Sequence, residues 1–185
     1  MRIIGGKFKG KSIEFLKSKN TRPLKDSVKE NIFNVLSHSK LFETKINNSN
    51  ILDLYSGIGS FGMECISRGA ERVTFVEKDL NAAKILRNNL MNLSIINKSK
   101  VYNGRIEDIL NILDEKFNIF FFDPPFKDHD YLQNIELIKK RKIFKKNHIV
   151  IVHRENKNND KLHDAIKVIE TKKYGRSKIL FGFFN

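Results

Sequence analysis

Tryptophan is absent from this 185-residue chain, cysteine occurs once and proline three times. A lone thiol, Cys65, excludes an internal disulfide and any cysteine-clustered zinc site, and its place in an apolar helical pattern reads as a core thiol. Long hydrophobic runs are missing too, which excludes a helical membrane span. The opening Met1-Arg2-Ile3-Ile4-Gly5-Gly6 lacks the basic, then apolar, then small-residue order of a signal peptide, so the expected location is the cytoplasm, with no membrane partner. Acid is scarce: 21 Asp and Glu stand against 35 Lys and Arg, giving a formal charge of +14 and a pI near 9.8. Residues 1–45 hold 11 Lys or Arg and 4 Asp or Glu, so half of the surplus sits in a quarter of the chain. That imbalance favours a polyanionic partner met by a basic N-terminal platform.

What is present suffices for one domain with a small appendage: 40% of residues are hydrophobic and 15 are Phe, enough to fill a sizeable core. From residue 51 onward, strand and helix patterns alternate. Ile51 to Tyr55 reads as a strand, Gly57 to Gly62 as a glycine loop, and Phe61 to Arg68 as a helix closed by Gly69. Arg72 to Glu77 is a second strand, and Asn81 is expected to cap a helix with Ala82, Ile85, Leu86, Leu90 and Leu93 at helical spacing. A strand near Lys100 to Asn103, a helix near Ile106 to Leu113, a strand over Asn118 to Phe122, a helix near Tyr131 to Lys140 and a strand over His148 to His153 follow. Two late segments flanking Tyr174-Gly175-Arg176 read as a terminal hairpin. Repeated strand–helix units predict an α/β, doubly wound, mostly parallel sheet with right-handed crossovers.

Before residue 45 the pattern differs. Arg2 to Phe8 and Lys11 to Phe15 suggest a basic hairpin, and Asp26 is expected to cap a helix carrying Val28, Ile32, Val35 and Leu36. The expected division is therefore a basic extension over residues 1–45 and a sheet domain over residues 46–185.

Gly57-Ile58-Gly59-Ser60-Phe61-Gly62 fits G-x-G-x-x-G, and Glu77 ends the next strand where a ribose-binding acid belongs. Both a nicotinamide cofactor and S-adenosylmethionine satisfy that description. Asp53 discriminates between them. A carboxylate ahead of the loop repels a pyrophosphate but helps to hold the ammonium of a methionine moiety.

Ile119-Phe120-Phe121-Phe122 suits a strand buried on both faces, yet it runs into Asp123-Pro124-Pro125-Phe126. The prolines have no N–H to donate and end the ladder in a stiff loop. In an open parallel sheet that loop faces the cofactor loop. An exocyclic base amine is a poor nucleophile, because its lone pair is delocalised into the ring. Asp123 and the Pro124 carbonyl offer it two acceptors, and Phe126 offers a stacking face for a base taken out of its helix. Guanine suits a carboxylate, since its N1–H and N2–H₂ donors lie side by side.

These residues, read with Arg2 to Gly10, Thr21-Arg22-Pro23, Ser67-Arg68-Gly69-Ala70, Val76-Glu77-Lys78-Asp79 and Tyr174-Gly175, resemble the RsmD family of bacterial 16S ribosomal RNA guanine-N2 methyltransferases. The resemblance runs nearly end to end. It implies a Rossmann-like class I methyltransferase, with a seven-stranded, mostly parallel sheet, a terminal antiparallel hairpin and a small basic N-terminal extension of hairpin and helix. The implied reaction moves a methyl group from S-adenosylmethionine to N2 of one guanine, position 966 in the usual numbering, of 16S rRNA in the assembling or assembled small ribosomal subunit. Implied cofactor contacts come from Asp53, Tyr55, Ser56, Gly57, Gly59, Gly62, Glu77, Lys78, Arg105 and Asp123, although Arg105 falls where the family often has a carboxylate or amide. Catalysis is implied for Asp123, Pro124, Pro125 and Phe126, with no metal. RNA contacts are implied for Arg2, Lys7, Lys9, Lys11, Arg22, Lys25 and Lys29, with Lys29 standing where an Arg is usual. The chain shows no heptad or spare apolar helix face, so a monomer is expected. Other readings are an amino methyltransferase for DNA, another RNA or a protein glutamine, a nicotinamide oxidoreductase, and a non-catalytic RNA-binding module.

Overall fold

The computed structural model describes residues 1–15, 24–158 and 162–185. Among these, one sheet contains β1 (Asn50–Leu54), β2 (Arg72–Glu77), β3 (Ser99–Asn103), β4 (Phe117–Phe122), β5 (Phe144–Glu155), β6 (Ile166–Tyr174) and β7 (Ser177–Phe184). Their spatial order is β3-β2-β1-β4-β5-β7-β6. Strands β1 to β5 run parallel, and β7 runs antiparallel to both β5 and β6. The expected doubly wound sheet with a terminal hairpin is the observed fold, and its switch point lies between β1 and β4.

Strand alternation divides the apolar residues between two cores. Ile51, Ile119 and Phe121 face the side covered by α1 (Asp26–His38), α2 (Ser60–Ser67) and α3 (Leu80–Asn92). Leu52, Leu54, Phe120 and Phe122 face the side covered by α4 (Ile106–Ile112) and α5 (Tyr131–Arg141), with α6 (Leu162–Ala165) beside them. Phe61, inside the glycine loop, stacks on Phe121 at 3.9 Å between ring centroids and on Phe33 at 5.3 Å. That stack ties α1, the start of α2 and the end of β4 together. Among the described residues no helix is long and apolar enough to cross a membrane.

Three local expectations change. The cap of α3 is Asp79, whose carboxylate accepts from the Ala82 amide at 2.8 Å, and Asn81 lies inside the helix. Asp26 is the first residue of α1 rather than its cap, where its charge meets the positive end of the helix dipole. The N-terminal hairpin is reduced to an Arg2–Ser12 bridge with flanking backbone bonds, because residues 5–10 are spent on turns.

The largest correction concerns Lys29, expected to contact RNA. It shares the inward stripe of α1 with Ile32, Phe33 and Leu36 and is completely buried. Its ammonium donates to the Arg2 carbonyl at 2.9 Å and lies 3.6 Å from Asp26 and 3.9 Å from Glu64. Burial lowers its pKa against the pull of those two acids. Glu64, buried on α2, also accepts from the Ile4 amide and from Arg68 Nε, each at 2.8 Å. Ile3 and Ile13 join the core above the same helices, so the extension is fastened by both charge and apolar contact.

Candidate active site

The chain leaves β1 through left-handed backbone, with φ of 58° at Tyr55, 55° at Gly57 and 82° at Gly59. At Gly59 a Cβ would lie 2.2 Å from Leu86 Cδ1, so both conformation and space call for glycine. At Gly57 a Cβ would meet nothing within 4 Å, which leaves this stretch of backbone open to approach. Glu77 closes the loop from the end of β2: its Oε2 accepts from the Gly57 amide and its Oε1 from the Asp79 amide, each at 2.7 Å. Asp53 is buried on β1. Its Oδ2 accepts from the Gly62 amide at 3.0 Å, while its Oδ1 has no partner among the described residues. Burial pushes the Asp53 pKa well above the carboxylate range; the Gly62 amide pulls it down, and Asp123 and Glu77 push it up again.

Strand β4 lies beside β1, so Asp123 emerges next to this loop. The following turn is held by side chains from β5. Buried Arg154 donates through Nη1 to the Pro125 carbonyl at 3.0 Å and through Nη2 to the Phe126 and Asp128 carbonyls at 3.0 and 3.1 Å. Its guanidinium also lies over the Tyr131 ring, 4.7 Å from the centroid. Asp123 Oδ1 accepts from His153 Nδ1 at 2.8 Å, and the His153 ring sits edge-on to Phe126. Tyr55 is fixed by Asn134, whose amide donates to the phenol oxygen at 3.1 Å, and burial raises the Tyr55 pKa.

A cavity of about 1180 Å³ joins these parts. Asp53, Tyr55, Ser56, Gly57, Glu77, Lys78, Arg105 and Asp123 to Phe126 all line it. Gly59 and Gly62 do not line it; they pack against Leu86, Phe75 and Val73. Arg105 is exposed and paired with Glu107, its Nε 2.6 Å from Oε1. Arg2, Lys7, Lys9, Lys11 and Lys25 are exposed on the extension and none lines the cavity. Arg22 lies outside the described residues. Among the described residues no group of acids, histidines or cysteines is arranged to hold a metal. Sequence reasoning missed His153, Arg154 and Asn134, together with the walls that Met1, Phe15 and Leu24 contribute from the extension. The available signal was the polar pair His153-Arg154 closing an apolar strand at the ligand-binding end of the sheet.

A family model described as conserved hypothetical protein 95 matches residues 1–183. Ribosomal RNA small subunit methyltransferase D of Haemophilus influenzae is 35% identical over 158 residues, covering 84% of this chain and 79% of the relative. The protein of the same name from Buchnera aphidicola is 34% identical over 156 residues, covering 84% and 76%. The chain belongs to the RsmD methyltransferase family. Solved structures agree with this placement. An Escherichia coli structure described as the methyltransferase yhhF superposes with a TM-score of 0.84 at 26% identity, covering 100% of this chain and 98% of the other. A Haemophilus influenzae methylase, HI0767, gives 0.77 at 27% identity over 100% and 98%.

For an RsmD-family chain the donor set fits S-adenosylmethionine. A buried, unpartnered carboxylate oxygen suits an ammonium and opposes a phosphate, and the open Gly57 backbone and the Glu77 carboxylate face the same space.

Proposed function

We propose that this chain methylates N2 of guanine 966 of 16S rRNA, acting as a cytoplasmic monomer on the assembling or assembled small ribosomal subunit. The observation that carries this reading is the meeting of Asp123, Pro124 and Phe126 with Asp53 and Glu77 on one cavity. The relatives' shared name and the basic extension support the RNA partner.

Asp53 Oδ1 would hold the cofactor's ammonium and Glu77 its ribose hydroxyls, with the Gly57 backbone approaching closely. When bound, S-adenosylmethionine supplies an electrophilic methyl group on a sulphonium. Asp123 Oδ2 accepts from the guanine amine, the Pro124 carbonyl accepts a second N–H, and the lone pair is thereby directed at the methyl carbon. Phe126 stacks on the base. As the N–C bond forms, the C–S bond breaks, and the nitrogen then loses a proton to water. Orientation of this kind supplies on the order of 7 to 11 kcal/mol. Residues 1–45 serve as the RNA-binding extension, with Lys7, Lys9, Lys11 and Lys25 on its exposed surface.

The test is methyl transfer from labelled S-adenosylmethionine to unmodified small-subunit particles, naked 16S RNA and duplex DNA, followed by nucleoside identification. N2-methylguanosine from particle or naked RNA is the expected product. Label confined to DNA would move the enzyme to a different substrate, and no label despite cofactor binding would leave a lapsed RNA-binding fold.

A further inference from the structure

We propose that His153 is a positioning residue for methyl transfer, holding the Asp123 carboxylate in the orientation that meets the acceptor amine. This rests on the functional reading above and deepens it. The parallel register pairs Phe122 with Val152, so the next residue of each strand, Asp123 and His153, emerges side by side at the ligand end of the sheet. His153 is 6% exposed, lines the cavity and reaches Asp123 Oδ1 through Nδ1 at 2.8 Å.

An ionised carboxylate only accepts hydrogen bonds, so Nδ1 carries the proton of the neutral imidazole. Nε2 is then a bare lone pair, and it is buried with no partner among the described residues. The neutral form therefore leaves no N–H unsatisfied. It also fixes one carboxylate oxygen and leaves Oδ2 for the substrate. A carboxylate that rotates about its Cβ–Cγ bond would present the amine with a moving target, and the neighbouring prolines restrain the backbone but not this torsion. Asp123 is in direct contact with the ring, and the neighbouring Arg154 guanidinium is spent on the loop carbonyls. Ile179, opposite His153 on β7, is apolar.

The test compares His153→Leu and His153→Asn with the wild-type chain, on whichever nucleic acid the wild type methylates, under cofactor saturation. Asn carries an N–H close to the Nδ1 position. His153→Leu is expected to lower kcat about 10- to 100-fold with KM for RNA and cofactor affinity held, and His153→Asn to recover most of that loss. Equal losses in the Leu and Asn variants, or wild-type kcat in both, would overturn the positioning role. Absence of transfer by the wild-type chain would instead overturn the functional reading, and this inference with it.

Discussion

The loops after β1 and β4 are spatial neighbours, face one cavity and are built in opposite ways. The first is held by its own neighbourhood: glycines at positive φ, the Gly62 amide on Asp53, and Glu77 accepting from Gly57. The second has two prolines, which donate nothing, and its carbonyls are gathered by Arg154, with its acid steadied by His153. The difference follows from the backbone: glycine amides can donate to the acids beside them, whereas prolines offer only carbonyls, which need a cation to gather them.

The contrast is broken most directly by Asp123→Ala, which should reduce kcat on the order of 10²- to 10³-fold while RNA affinity stays close to wild type. Single-turnover rates and filter binding on the same preparation check both halves, and retained activity would refute the positioning of the amine by this acid. A smaller effect is expected from Arg154→Ala. It takes the donor from three part-buried carbonyls and empties a buried site, and should cost roughly 2 kcal/mol of stability, with kcat falling further than cofactor affinity. Thermal unfolding and calorimetric titration with the cofactor separate the two, and a loss of cofactor affinity alone would show that the β4 loop does not depend on this brace.

The smallest effect, and one of opposite sign, belongs to Asp53→Asn. The folded pKa of Asp53 is raised, so its ionised form opposes folding, and stability is lost as pH rises above its ordinary value of 3.8. The unliganded Asn variant should therefore be the more stable chain at neutral pH, by ~2 to 4 °C for each kcal/mol relieved, with the gap closing in acid. Its affinity for S-adenosylmethionine should fall. A variant that melts lower at neutral pH would mean that Asp53 is already compensated without the cofactor.

The same contrast explains what could be read from the residues alone. The glycine loop, Asp53 and Glu77 are close in sequence, and the alternation of strand and helix brings them together in any doubly wound sheet. Asp123 to Phe126 stood out because prolines interrupted an apolar strand. His153 and Arg154 lie about 30 residues from the groups they hold, and only the β4–β5 register shows which side chains will meet. Lys29 was misread for a related reason: net charge does not say which lysine of a basic segment turns inward. Its spacing with Ile32, Phe33 and Leu36 carried that information.

Lys29 and Glu64 have a consequence for how such a chain can change. The extension is riveted to α2, the helix that begins where the cofactor loop ends, and each partner is buried in the other's company. Shortening the extension removes the Lys29 ammonium and leaves Glu64 with Arg68 as its cation, and a grafted extension must bring a positive charge of its own to the same buried spot. Extension and glycine loop are thus inherited as a single casting, open to retouching at the exposed lysines and constrained at the joint.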